Sequence, residues 1–122
     1  MPLIVGSQER MYGTVIVTAA GSLDTSTAPI LEKEIKSILE KSPPMIILDL
    51  KGLDYISSMG VRVIFQTHKS LSLNDGKLMM VNLQSQVKKV FDIINALPKM
   101  GIFQSIEEMD AYLDAIQKGI KK

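Results

Sequence analysis

A chain of 122 residues can bury the core of one domain and is too short for two ordinary ones. With 46% apolar and 22% charged residues it has the composition of a soluble globular protein, and its net charge of +1 argues against a nucleic-acid-binding surface, which takes a strong basic excess. The absence of cysteine excludes disulfides, thiolate catalysis and Cys-based zinc sites, and no apolar run approaches a signal-peptide core or the ~20 residues of a membrane span, so a cytoplasmic protein without membrane contact is expected.

Residues 3–10 alternate loosely and predict an edge strand, and Met11, Tyr12 and Gly13 predict a turn. The β-branched run 14–18 predicts a second strand in a hairpin with the first, broken at Gly21. Residues 22–29, SLDTSTAP, form a hydroxyl-rich loop into a helix, with Thr25, Ser26 or Thr27 as N-cap and Pro29 in the first turn. Ile30, Leu31, Ile35, Ile38 and Leu39 recur at helical spacing, with Glu32, Lys33, Glu34 and Lys36 on the other face. Pro43-Pro44 ends that helix.

The apolar run 45–50 predicts a strand buried on both faces, as in a parallel or mixed sheet. A helix over roughly 59–73 follows, with Ser58 just before it. A serine there serves as N-cap, accepting from a free N–H of the first turn, and is expected to be exposed at the positive end of the helix dipole. Asn74, Asp75 and Gly76 form a turn, and 78–81 a strand. Val87, Val90, Phe91, Ile94 and Leu97 stripe a third helix, closed by Pro98. Gly101, Ile102 and Phe103 predict a short last strand. Ser105 and Glu108 have the spacing of a capping box, opening a helix carried by Ile106, Met109, Leu113 and Ile116. Lys118, Lys121 and Lys122 complement its C-terminus. This alternation predicts an α/β domain over residues 1–122, with a mixed four- to five-stranded sheet covered by about four helices.

Catalytic chemistry finds little support. Ser58 as a nucleophile needs a base within hydrogen-bond reach. The one histidine, His68, lies ten residues on along the same predicted helix, about 15 Å away, on the Val61–Phe65 side toward the core. No nucleophile elbow, phosphate-binding glycine loop or metal-ligand spacing occurs, so neither an enzyme nor a cofactor or metal is expected. Ser58 then has two readings from the residues alone: a helix cap, or a phosphorylation site whose added charge a helix N-terminus tolerates. Met59 and Met100 are candidates for an adaptable interface.

The stretch 46–65, IILDLKGLDYISSMGVRVIF, and the block 21–35, GSLDTSTAPILEKEI, resemble in order and spacing the STAS domain family, whose best-known members are bacterial anti-sigma factor antagonists. The resemblance implies a single STAS domain that binds an anti-sigma factor acting also as a serine kinase, which uses ATP and magnesium. Phosphorylation would switch the antagonist off, and a serine phosphatase would restore it. Aligned on Gly60, the phosphorylated hydroxyl falls on Ser58, with Ser57 as fallback. Ser57 stands where the family carries an acidic residue, and Met59 where it carries a second hydroxyl. The same resemblance places the loop with Asp24, Thr25 and Ser26 beside the 57–60 turn as partner surface, with Asp24 facing the partner or kinase. The alternatives are a constitutive STAS module of a signalling or transport assembly, and an enzyme or small-ligand carrier.

Overall fold

The computed structural model describes residues 3–100. Their elements are β1 (Leu3–Glu9), β2 (Val15–Leu23), α1 (Ala28–Leu39), β3 (Met45–Asp49), β4 (Leu53–Ile56), α2 (Ser58–Ser72), β5 (Lys77–Val81) and α3 (Ser85–Met100). The expected last strand at 101–103 and the helix opened by Ser105 lie outside the described residues.

The first two strands form the predicted antiparallel hairpin, Leu3 opposite Gly21 and Glu9 opposite Val15. A single 3-10 turn, Met11–Gly13, joins them. Tyr12 (φ 63°) and Gly13 (φ 78°) take left-handed backbone there, which glycine accepts at no steric cost and tyrosine only under tertiary constraint. β2 and β3 run parallel, as do β3 and β5, giving the order β1-β2-β3-β5. α1 and α2 supply the crossovers that parallel strands require.

β2 does not break at Gly21 but continues to Leu23. Gly21 (φ 110°) marks a register shift within the strand. It pairs with Leu3 across one edge and with Leu53 across the other. β4, which the sequence pattern did not reveal, therefore extends the line of β3 along the same edge of β2. The two are separated by a turn in which Leu53 N–H donates to Leu50 C=O at 3.0 Å. Gly52 makes this possible: a Cβ there would lie 2.7 Å from the Ala20 Cβ.

The core sits on one side of the sheet. Val15, Val17, Ala19, Ile46 and Leu48 point into it and meet Leu31 and Ile35 of α1, Val61, Ile64 and Leu71 of α2, and Val87 and Val90 of α3. Each fully buried Leu or Ile contributes roughly 1.5–3 kcal/mol relative to an exposed one. The expectation that β3 is buried on both faces is not met. Ile46 and Leu48 are buried while Met45, Ile47 and Asp49 are half-buried. α1 and α2 pack against each other and hence on one face, so the residues of β3 that point to the other face are less enclosed.

Helical geometry corrects three further expectations. With Ala28, Leu31, Ile35 and Ile38 inward, Ile30 falls about 100° off the buried stripe and is exposed. On α2 the inward line is Val61, Ile64, Thr67 and Leu71. His68 follows Thr67 by another ~100° and points to solvent rather than toward the core. α3 continues through Pro98 to Met100, the last described residue, since a proline removes one N–H and bends a helix without having to end it.

Candidate functional site

The site forms where β2 and β4 end and α1 and α2 begin. Ser57 N–H donates to Leu23 C=O at 2.8 Å, and Ser22 Oγ to Asp54 Oδ1 at 3.3 Å. The two stretches singled out in the sequence, 22–27 and 57–60, are thus joined, although twenty-nine residues separate them in the chain.

Asp24 organises the first stretch. Its Oδ1 accepts from Ser26 N–H (3.0 Å), Ser26 Oγ (2.8 Å) and Thr27 N–H (3.0 Å). Its C=O accepts from Ala28 N–H at 2.8 Å. Thr27 holds the N-cap position of α1 without capping it through its side chain. Its Oγ1 turns back, donating to Ser22 C=O at 2.7 Å and accepting from Asp24 N–H at 2.8 Å. Thr27 is buried, Asp24 half-buried, and Thr25 and Ser26 exposed. The Asp24 carboxylate is therefore committed to the loop that leads into α1, while its backbone C=O receives the first N–H of the helix.

Partial burial alone would raise the Asp24 pKa, but the hydrogen bonds from Ser26 and Thr27 outweigh it, and the pKa is lowered. A carboxylate with a depressed folded-state pKa stabilises fully above its ordinary pKa, and that contribution disappears as the pH falls through the lowered value. Asp24→Asn is accordingly expected to cost thermal stability at neutral pH, with the gap to wild type closing in acid. Melting curves from neutral to strongly acidic pH check this, and a gap independent of pH would remove the carboxylate's role.

In the second stretch the cap is displaced by one residue. Ser57 (φ −97°, ψ 176°) is the N-cap of α2, its Oγ accepting from Gly60 N–H at 3.4 Å. Ser58 is the first helical residue rather than the cap, and at 2% exposure it is buried, not presented to solvent as expected. The cause is Gly60. A Cβ there would lie 2.7 Å from Leu23 Cγ and 2.9 Å from Ile56 Cγ1, so the bare α-carbon lets the first turn of α2 sink onto the ends of β2 and β4. Ser57 is buried as well, and Met59 is half-buried against the core.

Beneath the site, Gln86, itself buried, donates from Nε2 to Asp54 C=O (3.0 Å) and to Gln84 Oε1 (2.8 Å). Gln84 Nε2 in turn donates to Lys51 C=O at 2.8 Å. These two glutamines tie the start of α3 to β4 and so fix the strand that delivers Ser57. Nothing in their spacing identified them beforehand, because their partners are backbone carbonyls more than thirty residues away. His68 stands ten residues beyond Ser58 on the same helix, about 15 Å along the axis, and cannot activate it. Among the described residues no cluster of His, Asp or Glu could hold a metal, and no helix is long and apolar enough to cross a membrane. Ser58 opens α2 at the positive end of the helix dipole, a position that tolerates an added negative charge.

Comparison with known proteins agrees with this layout. The sequence model of the STAS domain matches residues 7–109. BtrV of Bordetella bronchiseptica, assigned as an anti-sigma factor antagonist, is 32% identical over 101 residues, covering 83% of this chain and 87% of BtrV. The anti-sigma-B factor antagonist of Staphylococcus aureus is 25% identical over 101 residues, covering 83% of this chain and 91% of that protein. Among solved structures, the Bacillus cell fate determinant SpoIIAA in its phosphorylated form superposes with a TM-score of 0.65 at 20% identity, covering 78% of this chain and 86% of SpoIIAA. With a family match over most of its length and a five-stranded mixed sheet that presents 22–27 and 57–60 at one end, the chain belongs to the STAS domain family.

Proposed function

We propose that this chain is an anti-sigma factor antagonist, with residues 1–122 acting as one domain in the cytoplasm. Its partner is an anti-sigma factor that is also a serine kinase. The unphosphorylated chain binds that partner and frees the sigma factor; phosphorylation of Ser58, with Ser57 as alternative acceptor, weakens the complex, and a serine phosphatase reverses the mark. The chain is ligand and substrate and contributes no catalytic group. The observation that supports this reading is the joining of 22–27 to 57–60 through the Ser57–Leu23 hydrogen bond, which sets the two stretches side by side, with Ser58 at the start of α2. The names of BtrV and the Staphylococcus aureus protein support the antagonist role.

The burial of Ser58 favours a second reading, a constitutive STAS module that binds without being phosphorylated. A kinase must reach the hydroxyl, and here the first turn of α2 has to loosen for that. Intact and peptide mass spectrometry after incubation with the host's anti-sigma kinase and ATP separates the two. One phosphate on Ser58, with loss of binding, is the expected result. Binding without phosphate establishes the constitutive module, and neither phosphate nor binding overturns the antagonist role.

A further inference from the structure

The solvent side of α2 and α3 differs in charge from the rest of the molecule. α2 contains Arg62 and Lys69 and no Asp or Glu. On α3, Lys88 and Lys89 are exposed against the single acid Asp92. α1, by contrast, mixes Lys33 and Lys36 with Glu32 and Glu34. The whole chain carries only +1, so the cations on α2 and at the start of α3 are a local excess. Phe65, 44% exposed, lies three residues after Arg62 and four before Lys69 on α2, its ring edge-on to that of Phe91 at 6.3 Å between centroids. An exposed aromatic held by a buried one and flanked along its helix by Arg and Lys has the make-up of an interface anchor, where aromatics and Arg are enriched.

We infer that the α2–α3 face built from Arg62, Phe65, Lys69, Lys88 and Lys89 is a docking surface for an acidic protein segment of the partner. Charge complementarity selects the occupant: a positive face steers a negative one into register and repels a basic one. The surface also connects to the switch. Arg62 follows Ser58 by four residues on one helix, so the two are neighbours one turn apart. A phosphate on Ser58 takes Arg62 as its counter-ion and turns the leading edge of the face from positive to negative. This step rests on the antagonist reading; the acidic docking surface itself does not.

The test uses the full chain, isotopically labelled, titrated with a Glu-rich peptide carrying leucines, and in parallel with a DNA duplex. Amide shifts are expected at Arg62, Phe65, Lys69, Lys88 and Lys89. Reversing two charges, R62E with K69E, is expected to weaken peptide binding roughly tenfold at low salt, while K33E on α1 with K41E just beyond it changes it little. Shifts spread equally over the α1 lysines, or tighter binding of the duplex than of the peptide, overturn the inference. The same reversal is then measured against the host's anti-sigma factor. If wild type fails to bind that protein, the antagonist reading fails while the peptide titration still decides the surface. If wild type binds it and the reversal changes nothing, the antagonist reading stands and this face is not the docking surface.

Discussion

Gly60→Val is expected to remove about 3 kcal/mol of stability or more, and Gly60→Ala about 1 to 2. An added Cβ meets Leu23 Cγ at 2.7 Å and both Ile56 Cγ1 and Leu23 Cδ2 at 2.9 Å, well inside the ~3.5–4.0 Å of an optimal carbon contact. Leu23 and Ile56 are fully buried, so neither can swing aside without displacing other core side chains. Helix propensity works in the opposite sense, since alanine exceeds glycine by up to about 1 kcal/mol, which is why the alanine variant is the milder one. A loss of ~3 kcal/mol is a large share of the 5–15 kcal/mol that holds a typical domain together. Urea denaturation of the two variants gives the answer. An alanine variant at least as stable as wild type would mean that propensity wins and that the first turn of α2 is not seated against β2 and β4.

The second large effect is expected at Ser58. Ser58→Asp should lower affinity for the anti-sigma factor roughly a hundredfold or more, because a charge enclosed at an interface without its own partner costs about 2–5 kcal/mol. A change at an exposed serine would leave stability within about 1 kcal/mol. With Ser58 at 2% exposure that allowance no longer applies, and the carboxylate is expected to cost the free protein about 1–3 kcal/mol through desolvation. The N–H groups opening α2 return part of this. Calorimetric titration well below the melting midpoint, corrected for folded fraction, separates the two effects, with Ser58→Ala as the uncharged comparison expected to retain binding. An aspartate variant that binds like wild type would place the partner surface away from the start of α2.

How much of this could be read in advance depends on the range of the interactions. The hairpin, α1, β3, α2 and β5 were legible because apolar period and turn residues act over a few positions: 14–18 is β-branched throughout, Pro43-Pro44 stops α1, and Asn74, Asp75 and Gly76 turn the chain. The family motif carried the pairing of 22–27 with 57–60, which no local pattern contains. β4 was not legible, because Leu53–Ile56 is four residues long and becomes a strand only by lying beside the end of β2. Ile30 and His68 were placed inward by counting apolar neighbours, and the structure turns both out because one further residue along a helix is ~100° of rotation.

Residue type and spacing along the chain were enough for the hairpin, α1, β3, α2 and β5 and for the absence of thiol chemistry. That Ser57 rather than Ser58 caps α2, that Ser58 is enclosed, and that Asp24 is committed to its own loop emerge only in the folded chain. Burial of a side chain depends on what approaches it from elsewhere in the fold. At Gly60 that approach comes from Leu23, thirty-seven residues earlier, where no local rule reaches.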